Sequence, residues 1–149
     1  MQTLVESYTD ATRIALTLAR SAADVAHAPL VAPEHVLGGL LREPSQEASR
    51  LLLRAGAAPA AVADLAERLL PARVLDHVDK CEMLAYARST KLLIIQAPEE
   101  ARLDGLTVAA PRHLLLALFT GERTPAVDAL TTLGVSRDKL RAASAPDAP

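Results

Sequence analysis

Apolar residues recur along this chain at the spacing of amphipathic helices. The first such stretch has apolar positions separated by three, four or seven residues: Ala11, Ile14, Ala15, Leu18, Ala22 and Val25. This spacing predicts one buried helix face over about four turns. Thr9 precedes the stretch and is a good N-cap. The segment His27-Ala28-Pro29 ends it, because a residue before proline avoids the α region.

A second helix is predicted from Pro33, since the first position of a helix tolerates proline. Its buried face would consist of apolar residues at helical spacing: Val36, Leu37, Leu40 and Leu41. Two adjacent glycines, Gly38 and Gly39, lie within it, although each costs roughly 1 kcal/mol relative to alanine. We therefore expect another backbone to cross this helix closely at the glycine pair.

The same pattern occurs twice in the chain. Residues 33–40 (PEHVLGGL) are followed seventy-eight residues later by residues 111–118 (PRHLLLAL). The same offset, without a gap, aligns Tyr8 with Tyr86 and Gly56 with Gly134. We interpret the chain as two copies of one four-helix unit, which predicts an all-α fold with about eight helices.

The second copy departs from the first along its long first helix. Pro98 falls inside that helix, where proline costs ~3 kcal/mol unless the helix bends or breaks. Gln96 and Glu100 stand at positions where the inner face should be apolar. Residues 92–95 (LLII) have the composition of a strand, but the register of the repeat favours a helix.

The helical pattern also predicts the organisation of the chain. Repeat one covers about residues 4–70, and a linker of mixed charge covers about residues 71–81. Repeat two covers about residues 82–143, so residues 1–143 form the predicted domain. Residues 144–149 have nothing to bury and are predicted to be disordered.

Composition narrows the class of protein without naming a function. Half of the residues are hydrophobic but only 2% are aromatic, so the core must consist of aliphatic side chains. A formal net charge of −2 provides no field that would attract nucleic acid, and no apolar run reaches the ~20 residues of a membrane span. The single cysteine, Cys81, and the absence of a signal-like segment in residues 1–6 predict a cytoplasmic protein.

These residues resemble the Clp N-terminal repeat, a unit that occurs twice at the front of Clp-type AAA+ unfoldases. The resemblance rests on residues 8–9 (Tyr-Thr) followed by a long helix, on residues 34–40 (EHVLGGL), and on Ala48, Leu52 and Gly56. It covers about residues 4–143 and is stronger in the first copy. The family fold that it implies is a pair of four-helix repeats related by a pseudo-twofold axis.

The resemblance implies binding rather than catalysis. Domains of this family receive substrates and adaptor proteins, while separate modules hydrolyse ATP. This sequence contains no Gly-x-x-x-x-Gly-Lys-Ser/Thr loop, so we expect no ATP binding, and we predict neither a cofactor nor a catalytic site. The predicted function is a protein-interaction module that docks substrates, adaptors, or Clp ATPase or protease subunits. The alternatives are a decoy for natural products that target Clp proteins, and a structural accessory subunit of a Clp protease.

The resemblance also implies a candidate ligand site. Some family members recognise phosphoarginine through a threonine at the start of the first helix and a glutamate in the Glu-His motif. This chain has Thr9 and Glu34 at those positions in the first copy, but Ala87 and Arg112 in the second. If each pocket lies within one repeat, the site of the first repeat could survive. If the pockets are shared between repeats, each pocket would keep only one of its two determinants. Alternatively, Glu34 only complements a helix N-terminus, an interaction of ~0.3–1 kcal/mol.

The other polar candidates are expected to be structural. His35 and His113 adjoin an apolar helix face in both copies and are interpreted as hydrogen-bonded core or boundary residues. The pair His77 and Cys81 offers only two ligands, fewer than a zinc site needs, so no metal site is predicted. Two acidic pairs, Glu99 with Glu100 and Asp76 with Asp79, are interpreted as solvated charges.

Overall fold

The computed structural model describes residues 7–72, 85–121 and 123–144. These residues form eight helices: α1 Asp10–Val25, α2 Pro33–Arg42, α3 Glu47–Arg54, α4 Pro59–Leu69, α5 Arg88–Leu103, α6 Pro111–Ala117, α7 Pro125–Thr132 and α8 Arg137–Ser144. The all-α prediction is confirmed. Within the described ranges, none of the helices has both the length and the hydropathy needed to cross a bilayer. Residues 73–84, with most of the predicted linker, and the predicted tail from residue 145 lie outside the description.

Short polar residues and prolines determine where these helices begin. The Thr9 side chain accepts a hydrogen bond from the Thr12 amide at 3.2 Å, as predicted for the N-cap of α1. Helices α2, α4, α6 and α7 each start with proline, whose fixed φ suits that position and whose missing N–H would have no helical partner.

The two repeats join through reciprocal backbone contacts. The Thr9 amide donates to the Ala109 carbonyl at 3.0 Å, and the Ala87 amide donates to the Val31 carbonyl at 3.0 Å. These two bonds join equivalent pairs of residues, since Thr9 corresponds to Ala87 and Val31 to Ala109. The start of the first helix in each repeat therefore contacts the segment before the second helix of the other repeat.

Side chains repeat the same reciprocal arrangement. The Thr12 hydroxyl donates to the Ala109 carbonyl at 2.9 Å, and the Thr90 hydroxyl donates to the Val31 carbonyl at 2.6 Å. Both threonines are fully buried, so each bond satisfies two polar groups that have no access to solvent. The matching contacts relate the repeats by an approximate twofold axis.

The glycine pair in α2 allows two other helices to approach. A Cβ added to Gly39 would overlap the carbonyl oxygen of Ala15 in α1 and lie 2.9 Å from the amide nitrogen of Ala19. A Cβ added to Gly38 would lie 3.1 Å from the Cβ of Leu69 in α4. The predicted close crossing is confirmed, and it occurs between α1 and α2 at Gly39.

The buried face of α1 differs in part from the predicted one. Ala15, Leu18 and Ala22 are buried as expected, but Ile14 and Val25 are exposed. Leu16, Ala19 and Ala23 are buried as well. The apolar spacing missed this because α1 contacts both α2 and the second repeat, so a broader face is covered than one stripe of residues describes.

Helix α5 continues through Pro98 without a break. Residues 92–95 are helical, as the register of the repeat predicted, and the helix accommodates Pro98. Proline leaves the carbonyl four residues earlier without its helical donor, and here that carbonyl belongs to Ile94. The Tyr8 hydroxyl donates to it at 2.7 Å from the other repeat. A side chain of repeat one therefore replaces the hydrogen bond that Pro98 removes.

Replacing Tyr8 with phenylalanine should destabilise the protein by about 1–2 kcal/mol, because the buried Ile94 carbonyl would lose its donor. For a chain of this size, the expected decrease in melting temperature is about 3–6 °C. Tyr86→Phe is the matched control, since no hydrogen bond of the Tyr86 hydroxyl occurs among the described residues. Equal melting temperatures for the two variants in calorimetry would contradict this role of Tyr8.

Glu100 is not a solvated charge, and this prediction was wrong. Its side chain is 1% exposed and lies 3.1 Å from the Arg137 guanidinium and 2.9 Å from the Arg141 guanidinium. Gln96 donates to the same carboxylate at 3.1 Å. The equivalent residue in repeat one is Ala22, in a small apolar cluster. The second repeat therefore attaches α8 to α5 by ion pairs at a place where the first repeat uses apolar packing.

Candidate docking site

The four residues singled out from the sequence lie in two places, each shared between the repeats. Thr9 pairs through its backbone with Ala109, in the segment that leads to Arg112. Ala87 pairs through its backbone with Val31, in the segment that leads to Glu34. The structure thus places the segment before each second helix against the first helix of the other repeat. Thr9 therefore lies at one of the two places, and Glu34 lies at the other.

The place beside Thr9 is already occupied by groups of this chain. The Glu47 carboxylate accepts from the Arg112 amide at 2.9 Å and from the Arg112 guanidinium at 3.3 Å. The Thr9 hydroxyl accepts from the Thr12 amide, as described above. The charged and hydroxyl groups at this location therefore have partners within the protein.

The place beside Ala87 lacks the internal ion pair that occupies the place beside Thr9. The residue equivalent to Glu47 is Pro125, which supplies no charge. The Oε1 atom of Glu34 is buried and has no hydrogen-bond partner in the part of the chain that the structure describes. A buried carboxylate oxygen without a donor is energetically unfavourable, so a ligand that supplies an N–H or O–H group would stabilise it.

The two repeated histidines act as internal caps. The His35 Nδ1 accepts from the Ala32 amide at 2.9 Å, and the His113 Nδ1 accepts from the Ala110 amide at 2.9 Å. Burial lowers the pKa of both imidazoles, although a hydrogen bond from His113 to Asp104 opposes this effect. The neutral ring is the form that accepts a hydrogen bond at Nδ1. The prediction that both histidines are hydrogen-bonded structural residues is confirmed.

A groove of about 650 Å³ opens beside the first half of α5. Its walls come from α5, from the start of α2 and from the connection between α6 and α7: Pro33, Arg88, Ser89, Leu92, Leu93, Ile95, Gln96, Leu118, Thr120, Gly121 and Thr124. Leu92 and Ile95 are 57% and 58% exposed. Exposed aliphatic side chains within a concave surface are typical of a site that binds another molecule.

The sequence contained a signal for this groove that helical spacing alone did not reveal. Four consecutive apolar residues, 92–95, cannot all face one side of a helix. Leu93 and Ile94 are buried, which leaves Leu92 and Ile95 on the outer surface. A run that suggested a strand therefore marks a helix that is apolar on both faces.

A smaller cavity of about 290 Å³ lies where α1 and α5 meet. It is lined by Tyr8, Arg13, Leu16, Thr17, Arg20, Tyr86 and Ile94. The Arg20 guanidinium stands 4.9 Å from the centre of the Tyr86 ring, within the range of a cation–π interaction. Burial raises the pKa of Tyr8 to about 12, so its hydroxyl remains a hydrogen-bond donor at neutral pH.

Across residues 7–72, 85–121 and 123–144, the structure contains no group of three or more His, Cys, Asp or Glu side chains arranged for a metal ion. His77 and Cys81 lie outside these ranges, as do Asp76 and Asp79. Among the described residues, the groove, the smaller cavity and the Glu34 carboxylate are candidate features for binding another molecule.

The chain matches the model of a known protein family. The model of the Clp repeat (R) N-terminal domain family matches residues 7–105, which span most of repeat one and α5. A comparison with curated proteins finds no match.

Solved structures with the same fold cover nearly the whole chain. The N-terminal domain of the caseinolytic protease-associated chaperone ClpD from Arabidopsis thaliana has a TM-score of 0.61 and 23% identity, covering 93% of this chain and 94% of that one. The N-terminal domain of Hsp104 from Candida albicans has a TM-score of 0.66 and 19% identity, with coverages of 93% and 89%. A structure from preliminary investigations of a malarial protein secretion system has a TM-score of 0.71 and 17% identity, with coverages of 91% and 90%. At these identities the similarity concerns the fold.

Proposed function

Because the chain belongs to the Clp repeat N-terminal domain family, we propose that it is a non-catalytic docking module for substrates, adaptors or subunits of a Clp system. Domains of this family are protein-interaction modules. The observation that carries the proposal is the groove beside α5, with two exposed aliphatic side chains in a wall that is otherwise polar or buried. Residues 1–143 would form this module, and the single cysteine fits a cytoplasmic location.

The groove has the properties of a site for a polypeptide segment. Its volume and open shape admit several side chains, and its two exposed aliphatic residues, Leu92 and Ile95, both lie on α5. Burying Leu92 and Ile95 against a partner would remove apolar surface from water, which favours binding by roughly 25 cal/mol per Å² of buried area. An unfolded substrate or an adaptor segment supplies such apolar side chains.

Replacing both Leu92 and Ile95 with serine should reduce binding of a purified Clp subunit, adaptor or unfolded client by at least about tenfold, because the two main apolar contacts would be lost. The matched control is Leu103→Ser, which changes a residue of the same helix that is 68% exposed and does not line the groove. Titration calorimetry measures the affinities. Equal affinities for the double variant and the control would contradict the proposed surface.

The identity of the bound protein distinguishes the possible roles. Specific binding of purified Clp ATPase or protease subunits would favour a regulatory or bracing role in the protease. Binding of several unrelated unfolded clients, but not of the subunits, would favour substrate docking. Both results depend on the groove, so the variants described above serve in each experiment.

A second candidate function is the binding of a small molecule, as expected of a decoy for natural products that act on Clp proteins. The cavity between α1 and α5 supports it, because two tyrosine rings and two arginines line a space of about 290 Å³. A ligand that binds there would contact both repeats. Tight binding of an apolar small molecule, without binding of any Clp protein or client, would favour this alternative.

We also propose that Glu34 receives a guanidinium-containing ligand such as phosphoarginine, because its buried Oε1 has no donor among the described residues. Thr9 lies at the other, internally occupied place and would not contribute to the same pocket. Wild-type protein should release or absorb heat on titration with phosphoarginine, and Glu34→Ala should abolish the signal. Glu67→Ala, at an exposed carboxylate on α4, is the control. The absence of a wild-type signal would refute this proposal and leave protein docking unaffected.

A further inference from the structure

The groove beside α5 carries positive charge at one end. Arg88 is the first residue of α5 and the one charged residue among those that line the groove. Within the described part of the chain, its guanidinium forms no ion pair. The hydroxyl-bearing residues Ser89, Thr120 and Thr124 also line the groove.

The backbone adds to this charge at the same end. The N-cap of α5 is Ala87, which has no side chain able to cap the first turn. The amide groups at the start of a helix carry a partial positive charge when no carboxylate or hydroxyl compensates them. Arg88 and the start of α5 therefore both favour a negatively charged group, while Glu34, next to Pro33 at the start of α2, favours a positively charged one.

The apolar part of the groove lies at a defined distance from this charged end. Leu92 follows Arg88 by four residues and Ile95 follows it by seven, which correspond to about 6 Å and about 10 Å along a helix axis. An extended polypeptide advances about 3.3 Å per residue. The two distances therefore equal about two and about three residues of an extended segment.

We propose that the groove accepts an extended segment of a partner protein in which an aspartate or glutamate precedes a bulky aliphatic residue by two or three positions. The carboxylate would pair with Arg88 at the start of α5, and the aliphatic side chain would cover Leu92 and Ile95. The inference rests on the proposed docking function and names the chemistry of the docked segment. It makes the groove selective for acidic apolar segments over neutral or basic ones.

Three labelled peptides test this selectivity by fluorescence anisotropy with the whole chain. Each is acetylated and amidated, so that no terminal charge contributes, and has the form X-Ala-Leu-Leu-Ala with glutamate, glutamine or lysine as X. We expect the glutamate peptide to bind about two- to five-fold more tightly than the glutamine peptide at low salt, the range of an exposed ion pair. The difference should shrink at 0.5 M salt because of screening.

Arg88→Gln should weaken binding of the glutamate peptide by about two- to five-fold and so remove its advantage over the glutamine peptide. Arg68→Gln is the matched control, since Arg68 is exposed on α4 and does not line the groove. The lysine peptide is informative because Glu34 adjoins Pro33, which lines the groove. Tightest binding of the lysine peptide would overturn the inference and identify Glu34 as the selective group.

The remaining outcomes separate the inference from the docking function. Equal binding of all three peptides, weakened in the Leu92→Ser/Ile95→Ser variant, would overturn the charge selectivity but leave the groove as a docking site. No binding of any peptide, together with no effect of that double variant on binding of a Clp protein or client, would overturn both.

Discussion

Replacing Gly39 with alanine should destabilise the protein by about 3 kcal/mol, at the upper end of the range for overpacked cores. The added Cβ would overlap the Ala15 carbonyl oxygen, and backbone atoms of a packed helix cannot move aside as a flexible side chain can. Helices α1 and α2 would have to separate, which loosens the most extensively packed pair of helices in the fold. In calorimetry the melting temperature should fall by about 6–12 °C.

Gly38→Ala is the matched control for this prediction. It adds the same methyl group to the neighbouring position of the same helix and gains the same helix propensity, roughly 1 kcal/mol. Its Cβ would lie 3.1 Å from the Cβ of Leu69, so α4 would have to move by only a few tenths of an ångström. A melting temperature of Gly39→Ala at or above that of Gly38→Ala would show that the crossing at Gly39 is not close.

The sequence predicted those parts of the fold that depend on local chemistry and on the repeat. Thr9 caps α1, Pro33 begins α2, and the paired glycines mark the helix crossing. The aligned glycines Gly56 and Gly134 both have a positive φ, at 109° and 83°, just after the third helix of each repeat. Each of these features is decided by residues close together in the chain, and the constant offset of the repeat transferred the interpretation from one copy to the other.

The sequence could not predict contacts that join distant residues. Glu100 pairs with Arg137 and Arg141, and the Tyr8 hydroxyl compensates for Pro98 from the other repeat. Glu100 and Pro98 each looked unfavourable within α5, because the group that compensates each of them lies far away in the sequence. Only the relative placement of the helices shows that the interior supplies a partner.

For the candidate ligand site, the sequence named residues but could not show how the segments that carry them meet. The motif identified Thr9, Glu34, Ala87 and Arg112, yet it did not show which of them meet. That depends on how the repeats cross, and the hydrogen bonds from Thr9 to Ala109 and from Ala87 to Val31 show a shared arrangement. A substitution in one repeat therefore changes the residues at both places. The places also differ because Glu47 pairs with Arg112 at one of them, whereas the equivalent residue at the other is Pro125.

Replacing Glu100 with alanine should also have a large effect, a loss of about 3 kcal/mol in unfolding free energy, because two arginines would lose a carboxylate that is almost fully buried. The effect should be concentrated in α8. Leu140 is the one buried residue of this helix, so the ion pairs to Glu100 supply much of its attachment. Hydrogen exchange should show lost protection in α8 while α1 and α2 remain protected.

A double-mutant cycle tests whether the ion pairs, and not the shape of the side chain, carry this effect. Arg137→Ala combined with Glu100→Ala should be less destabilising than the sum of the single changes, by about 1–2 kcal/mol, since each single change leaves a charge without its partner. Glu99→Ala, next to Glu100 but half-exposed in its pair with Arg102, should change stability by less than about 0.5 kcal/mol. Additive effects of Glu100→Ala and Arg137→Ala would mean that Glu100 stabilises α8 by packing alone.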